Sequence, residues 1–361
     1  MKWVVLILFG GIAWAQNHLA EAIARNNEAI GLVDEGRFVD AERLYRSALD
    51  GKYDDDLNRA KIANNLAALY QREDRYSDAE RMFRAALQWR QKNLPDSSVE
   101  VAYSLNNLAE MFRVEGREWE AGNLLDTSVQ SLQQFHPDDP CLPLILSNLA
   151  SVRCFFGKFD EAETLLHSAL SSYEKQKGVA SWEYGITLNN LGRVLQSKNE
   201  LPAAEDLYRQ AVSVFEPLGA QARPYLATTL SNAGVLYERE KRIAEAQQTD
   251  QRALGLLRPT GDEPLRATIL RNLGNLVANT GSAANALPYF EKSLAIQEKT
   301  LGVEHPATAA LLRDYASAAM RAGDKSLSKK LSGRAKAVLE RLSRQSPKDL
   351  TVSISDLRAA K

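Results

Sequence analysis

The chain has 361 residues, 45 % hydrophobic and 25 % charged, which is enough apolar material to bury a continuous core. With 45 Lys and Arg against 46 Asp and Glu, its formal net charge is -1. That balance lacks the basic footprint of a nucleic-acid binder, and two cysteines with four histidines leave little for a disulfide framework or a metal centre.

At the amino terminus, Met1-Lys2 precedes the apolar run Trp3 to Ile12 and then Ala13-Trp14-Ala15. A charged start, a short apolar stretch and an A-x-A site define a secretory signal, so residues 1–15 are expected to be removed before Gln16. The run is too short to hold the mature chain in a membrane, and no cysteine follows for lipid attachment. The expected destination is the periplasm or the cell exterior. The competing reading is an apolar leading helix that covers the first folded repeat.

From about residue 20 to 343, one segment recurs eight times. Asn27, Asn65, Asn107, Asn148, Asn190, Asn232 and Asn272 mark its copies, with Asp314 in the eighth, 38 to 42 residues apart. A fixed period near forty residues is the mark of a solenoid. Two positions after the marker the residue is always small, from Ala29 and Ala67 to Gly192, Gly234, Gly274 and Ala316. A turn comes next: Gly36-Arg37, Asp74-Arg75, Gly116-Arg117, Gly157-Lys158, Asn199-Glu200, Lys241-Arg242, Gly281-Ser282 and Gly323-Asp324. Glycine or asparagine there suits the left-handed residue that ends a helix.

Beyond the turn, an alanine (Ala41, Ala79, Ala121, Ala162, Ala204, Ala246, Ala286) precedes a large residue (Tyr45, Phe83, Leu125, Leu166, Tyr208, Phe290) and then a small one. These offsets predict two helices per copy, with small residues where backbones approach and a large one filling the gap. Pro202 fits the first position of a second helix, and Pro288 is expected in a first turn or at a kink. The sixth copy departs: Asp250 holds the large position among Gln247 and Gln248, which predicts a weak joint. Cys141 and Cys154 fall about 20 Å apart on one predicted helix, too far to bridge.

The alanine–aromatic–alanine pattern around a small residue and a turn resembles the tetratricopeptide repeat family. The 42-residue spacing, the Asn-Asn-Leu-Ala segments (Asn64 to Ala67, Asn106 to Ala109) and the loop Leu301-Gly302-Val303-Glu304-His305-Pro306 are similar to its longer, kinesin-light-chain-like variety. HEAT and armadillo repeats share the period but fit the alanine and aromatic offsets less well. The resemblance implies an all-α, right-handed superhelical solenoid of about eight helix pairs over residues 16–345, with the first helices lining a concave groove.

At about 100° per residue, the packed positions one, two and five after each asparagine lie on the opposite side of the helix from it. With the asparagine fall the residues four before, three after and seven after, among them Arg72, Arg193 and Arg239. An asparagine amide both donates and accepts, so Asn65, Asn107, Asn148, Asn190, Asn232 and Asn272 suit pairing with the backbone of an extended peptide. Interleaved arginines suit carboxylates. Asparagine at this slot contacts ligand in peptide-binding members of the family, as the resemblance implies. The other reading is that the asparagines bond to adjacent helices and order the stack, and the two are compatible.

Reactive chemistry is not expected. His136 and His305 precede prolines in loops, without ligand spacing to a second histidine or cysteine. Ser172 to Lys175 and Ser326 to Lys329 match S-x-x-K without companion motifs, and no phosphate loop or nucleophile elbow occurs. Asp54-Asp55-Asp56 reads as a helix cap. After the last helix, residues 346–361 alternate Leu350, Val352 and Ile354 as an extended segment does. The expectation is an exported scaffold, without cofactor, metal or catalysis, that binds a protein or peptide partner in its groove. A structural spacer in an envelope complex, with no groove ligand, is the alternative.

Overall fold

The computed structural model describes residues 2–345 except 52, 259 and 282, and leaves aside the side chains of 2–16, 177 and 342–345. The tail expected at 346–361 lies outside the described residues, and the expected signal segment is described only as backbone. The helices are α1 (Lys2–Asp34), α2 (Phe38–Leu49), α3 (Asp56–Arg72), α4 (Tyr76–Asn93), α5 (Val99–Val114), α6 (Glu118–Phe135), α7 (Leu142–Phe155) and α8 (Phe159–Lys177). They continue as α9 (Trp182–Ser197), α10 (Leu201–Phe215), α11 (Arg223–Arg239), α12 (Ile243–Leu256), α13 (Glu263–Asn279), α14 (Ala283–Thr300), α15 (Pro306–Arg321) and α16 (Lys325–Gln345). A 3-10 segment, Glu216–Ala222, joins α10 to α11. Among the described residues none of these helices is long and apolar enough to cross a membrane.

The described residues form two compact units. The first, up to Lys158, holds the pairs α1/α2, α3/α4 and α5/α6, with α7 packed on α6. The second, from Phe159, holds α8 packed on α9, then the pairs α9/α10, α11/α12, α13/α14 and α15/α16.

The turn within each pair follows from its sequence. Gly36, Asp74, Gly116, Gly157, Asn199, Lys241, Gly281 and Gly323 all have positive φ, from 58° to 97°. The next residue's N–H then reaches back to a carbonyl of the first helix, as from Arg75 to Tyr70 (2.9 Å), Arg117 to Phe112 (2.8 Å) and Arg242 to Tyr237 (2.8 Å). This satisfies carbonyls that a helix end leaves orphaned.

Small residues sit where backbones meet. A Cβ on Gly192 would fall 2.7 Å from the ring of Tyr208, and one on Gly274 would fall 3.0 Å from Phe290. Where serine replaces the small alanine of a second helix, its hydroxyl is satisfied across the pair: Ser128 donates to the Ala102 carbonyl (2.9 Å) and Ser293 to Ala267 (2.7 Å). Asp55 caps α3 by accepting from the Asn58 N–H (2.9 Å), Ser98 caps α5 and Ser181 caps α9. Pro202 falls in the first turn of α10 as expected, whereas Pro288 lies inside α14, beyond the position where a missing N–H costs nothing. Among the described residues Cys141 and Cys154 form no disulfide.

Candidate protein-interaction face

Asn65, Asn107, Asn148, Asn190, Asn232 and Asn272 are half-buried, and all but Asn190 are bonded to the preceding pair. Asn65 Nδ2 donates to Asn26 Oδ1 (2.9 Å), Asn107 to Asn64 (2.7 Å) and Asn148 to Asn106 (3.0 Å) in the first unit. In the second unit Asn232 donates to Asn189 (2.9 Å) and Asn272 to the Ser231 hydroxyl (3.0 Å). Each acceptor stands one residue before the asparagine of the neighbouring repeat, so the pairs are laced by amide rungs. The eighth copy keeps the rung as an ion pair, with Asp314 Oδ2 accepting from Arg271 Nε at 2.6 Å. Asn190 is held differently: its Oδ1 accepts from its neighbour Asn189 at 3.4 Å.

A rung uses one amide N–H. In Asn65, Asn107, Asn148, Asn232 and Asn272 the second N–H and the Oδ1 lone pairs keep capacity for another partner. The rungs thus make the stacking reading a property of the structure without consuming the groups that the binding reading requires.

The arginines of this face differ. Arg72 and Arg193 are exposed and form no ion pair among the described residues. Arg239 reaches the preceding pair, donating to the Gln196 carbonyl (2.7 Å) and Asn199 Oδ1 (3.0 Å) at the C-terminal end of α9. Further along the same row, Asn279 donates to Glu238 (2.7 Å) and Arg321 to Asn279 (3.0 Å). In the third and fourth repeats the row turns apolar, with Val114 and Phe155 exposed.

A second lacing runs through the turns. Arg75 lies over the Tyr70 ring (4.2 Å) and bonds Glu42 of the preceding pair (2.8 Å) and Asp78 (2.9 Å). Arg117 does the same over Phe112 (3.8 Å) with Glu80 (3.0 Å) and Glu120 (2.7 Å), and Arg242 over Tyr237 (4.2 Å) with Glu205 (2.8 Å) and Glu245 (2.5 Å). In the fifth repeat, whose turn carries Glu200, Lys198 takes over and bonds Glu163 (2.7 Å). The guanidinium groups hold the Glu42 and Glu205 carboxyls below the usual range and are themselves raised. These clamps were not anticipated from the sequence. Their signal there is an arginine after the turn, an acid three residues on, and Glu42, Glu80, Glu163 and Glu205 at one offset from the repeat marker.

Residues weighed for chemistry have structural partners. His136 Nε2 pairs with the Ser97 carbonyl (2.9 Å), and His305 Nδ1 accepts from the Ala307 N–H (3.1 Å) at the start of α15. Ser172 of the S-x-x-K match donates to the Ser168 carbonyl of its own helix (3.0 Å).

Helix pairs with left-handed turns, small contact positions and amide rungs define a helical repeat protein. The tetratricopeptide repeat profile matches residues 58–134, 141–217 and 265–341, and the chain belongs to that family. Comparison with curated proteins found no match. Among solved structures, the quorum sensor NprR from B. thuringiensis in its apo form is similar at 11 % identity, with 94 % of this chain and 93 % of that one covered and a TM-score of 0.69. A Rap protein complexed with Competence and Sporulation Factor is similar at 13 % identity, with 91 % and 100 % covered and a TM-score of 0.62. Aspartyl phosphate phosphatase F from Bacillus subtilis follows at 14 % identity, with 92 % and 97 % covered and a TM-score of 0.61. At these identities the likeness is one of fold.

Proposed function

We propose that the chain is a protein-interaction scaffold that takes an extended segment of a partner protein along the asparagine face, and that it works outside the cytoplasm after loss of residues 1–15. The observation that carries the binding reading is the unused half of each amide. A row of amides, one to each helix pair, offers donors and acceptors to the N–H and C=O groups of an extended backbone, independent of its side chains. Exposed Arg72 in the first unit and exposed Arg193 in the second each offer charge-assisted bonds to carboxylates of a bound segment. That a Rap protein of similar fold forms a complex with Competence and Sporulation Factor agrees with this use of the fold.

The spacer reading is favoured by a different observation, the double lacing of amide rungs and arginine clamps, which stiffens the stack. One experiment separates the two. Full-length protein and the triple substitution Asn107→Ala, Asn148→Ala, Asn190→Ala are used to capture partners from the native envelope. Loss of a specific partner with native helicity retained supports binding; loss of folding with no selective loss of a partner supports the spacer. Export has its own test, in which the mature chain begins at Gln16 on N-terminal sequencing. Intact chain in the cytosol contradicts it.

A further inference from the structure

The last helix pair presents the surface on which a further pair would stack, and its side chains show that this surface is uncovered. Met320 of α15 is 52 % exposed, whereas Ala278, at the same repeat position one pair earlier, is 3 % exposed and packs in a cluster with Leu311, Leu312 and Tyr315 of α15. Leu339 of α16 is 45 % exposed, whereas its counterpart Gln297 in α14 is 9 %. Where Phe290 fills the large position of α14, Ser332 stands in α16. Together Met320, Ser332, Ala335 and Leu339 line an open groove between α15 and α16, with Arg313 and Lys336 along it.

We propose that this groove is covered by the chain's own segment 349–357, which doubles back from the end of α16 and lays Leu350, Val352 and Ile354 against Met320 and Leu339. Four observations favour this occupant. Pro347, just past Gln345, opposes continuation of the helix and biases Ser346 to extended backbone, which lets the chain turn. Reach is sufficient: five extended residues from Gln345 to Leu350 span about 16 Å, and Leu339 lies about 9 Å back along α16.

Alternation places Leu350, Val352 and Ile354 on one side of an extended strand, as a groove with an apolar floor requires. Residues 349 to 356 carry two carboxylates, Asp349 and Asp356, and no base, whereas the groove carries three bases, Arg313, Arg321 and Lys336, against one acid, Glu340, which pairs with Lys336 at 3.7 Å. A second copy of the chain fits less well. Two large exposed apolar side chains are few beside the roughly 20–30 residues a side of a standard interface, and a tethered segment competes at an effective concentration on the order of millimolar.

The test compares three proteins: full-length chain, chain ended at Gln345, and full-length chain carrying Val352→Asp and Ile354→Asp. Each is followed by amide hydrogen exchange and light scattering. The expected result is exchange in residues 313–321 and 328–340 about tenfold faster in both altered proteins, with the other pairs unchanged and all three monomeric. Added peptide 346–361 restores slow exchange to the shortened chain. Unchanged exchange in the Val352→Asp, Ile354→Asp protein overturns the proposal. So does a full-length dimer in which dissociation, and not loss of the segment, exposes those helices.

Discussion

The fifth and sixth helix pairs share one design and fill its central slot oppositely. In α9/α10 the ring of Tyr208 lies against Gly192, 1 % exposed, with its hydroxyl donating to Gln196 Oε1 at 2.6 Å. In α11/α12 the carboxyl of Asp250 lies against Gly234 at the equivalent place, 2 % exposed, and its Oδ1 has no hydrogen-bond partner among the described residues. Burial pushes the Asp250 carboxyl up to about 7, with Ser231 opposing the shift by a hydrogen bond and Glu238 adding to it. Ser231 also accepts the rung from Asn272, so this carboxyl is joined to the lacing of the next pair. Because each repeat packs mainly on its neighbours, a stack tolerates one poorly filled pair at a local cost in stability.

That difference is open to test from both sides. The largest effect is expected on filling removed from the fifth pair: Tyr208→Ala should cost about 3–5 kcal/mol in urea unfolding. The reverse repair, Asp250→Tyr, should gain about 2 kcal/mol, since it replaces a buried carboxyl that has an unpaired oxygen with a ring packed on a glycine, as Tyr208 packs on Gly192. A loss of stability on that repair would show the two slots to be different in shape and not merely in filling.

Stability against pH sharpens the comparison. Folded Asp250 keeps its proton up to about pH 7, while the unfolded chain releases it near the ordinary aspartate value of 3.8. The folded state therefore binds more protons in that window, and the Asp250 contribution to stability falls as pH rises, by at most about 1.4 kcal/mol per pH unit. Asp250→Asn should flatten this slope between about pH 4.5 and 7 in denaturation series. Glu205 runs the other way: Arg242 lowers it, so its contribution is present above the ordinary carboxylate range and is lost as pH falls below it. The smallest effect is at the turns. Lys241 holds a φ of 61° where five of the repeats have glycine, and Lys241→Gly should raise stability by about 1 kcal/mol, with Asn199→Gly gaining less because asparagine tolerates that conformation.

Much of this was legible in the sequence because it is local. The turns, the small contact positions, the cap at Asp55 and the break at Asp250 each follow from residue type at a fixed offset. The rungs were half legible. Helical geometry turns Asn65, Asn107 and Asn148 away from the core of their own pair, but their acceptors at Asn26, Asn64 and Asn106 belong to the preceding pair, whose height and rotation no periodicity supplies. Arg239 shares the face with Arg72 and Arg193, but its contacts with the Gln196 carbonyl and Asn199 Oδ1 of the preceding pair depend on that same height and rotation. Pro288 fell a turn deeper in its helix than its best place because the neighbouring contacts of Phe290 and Ala286 fix the register of α14.

Asn190 offers the most direct measurement, because its amide can be removed without losing a rung like those of Asn107 or Asn232. Partner affinity and melting temperature should be measured together for Asn190→Ala and Asn107→Ala, using the partner recovered by capture. If the asparagine face binds backbone as well as ordering the stack, Asn190→Ala weakens binding about tenfold, or about 1.4 kcal/mol, at unchanged melting, and Asn107→Ala lowers both. Full-strength binding by Asn190→Ala, with Asn107→Ala lowering only the melting temperature, would contradict it.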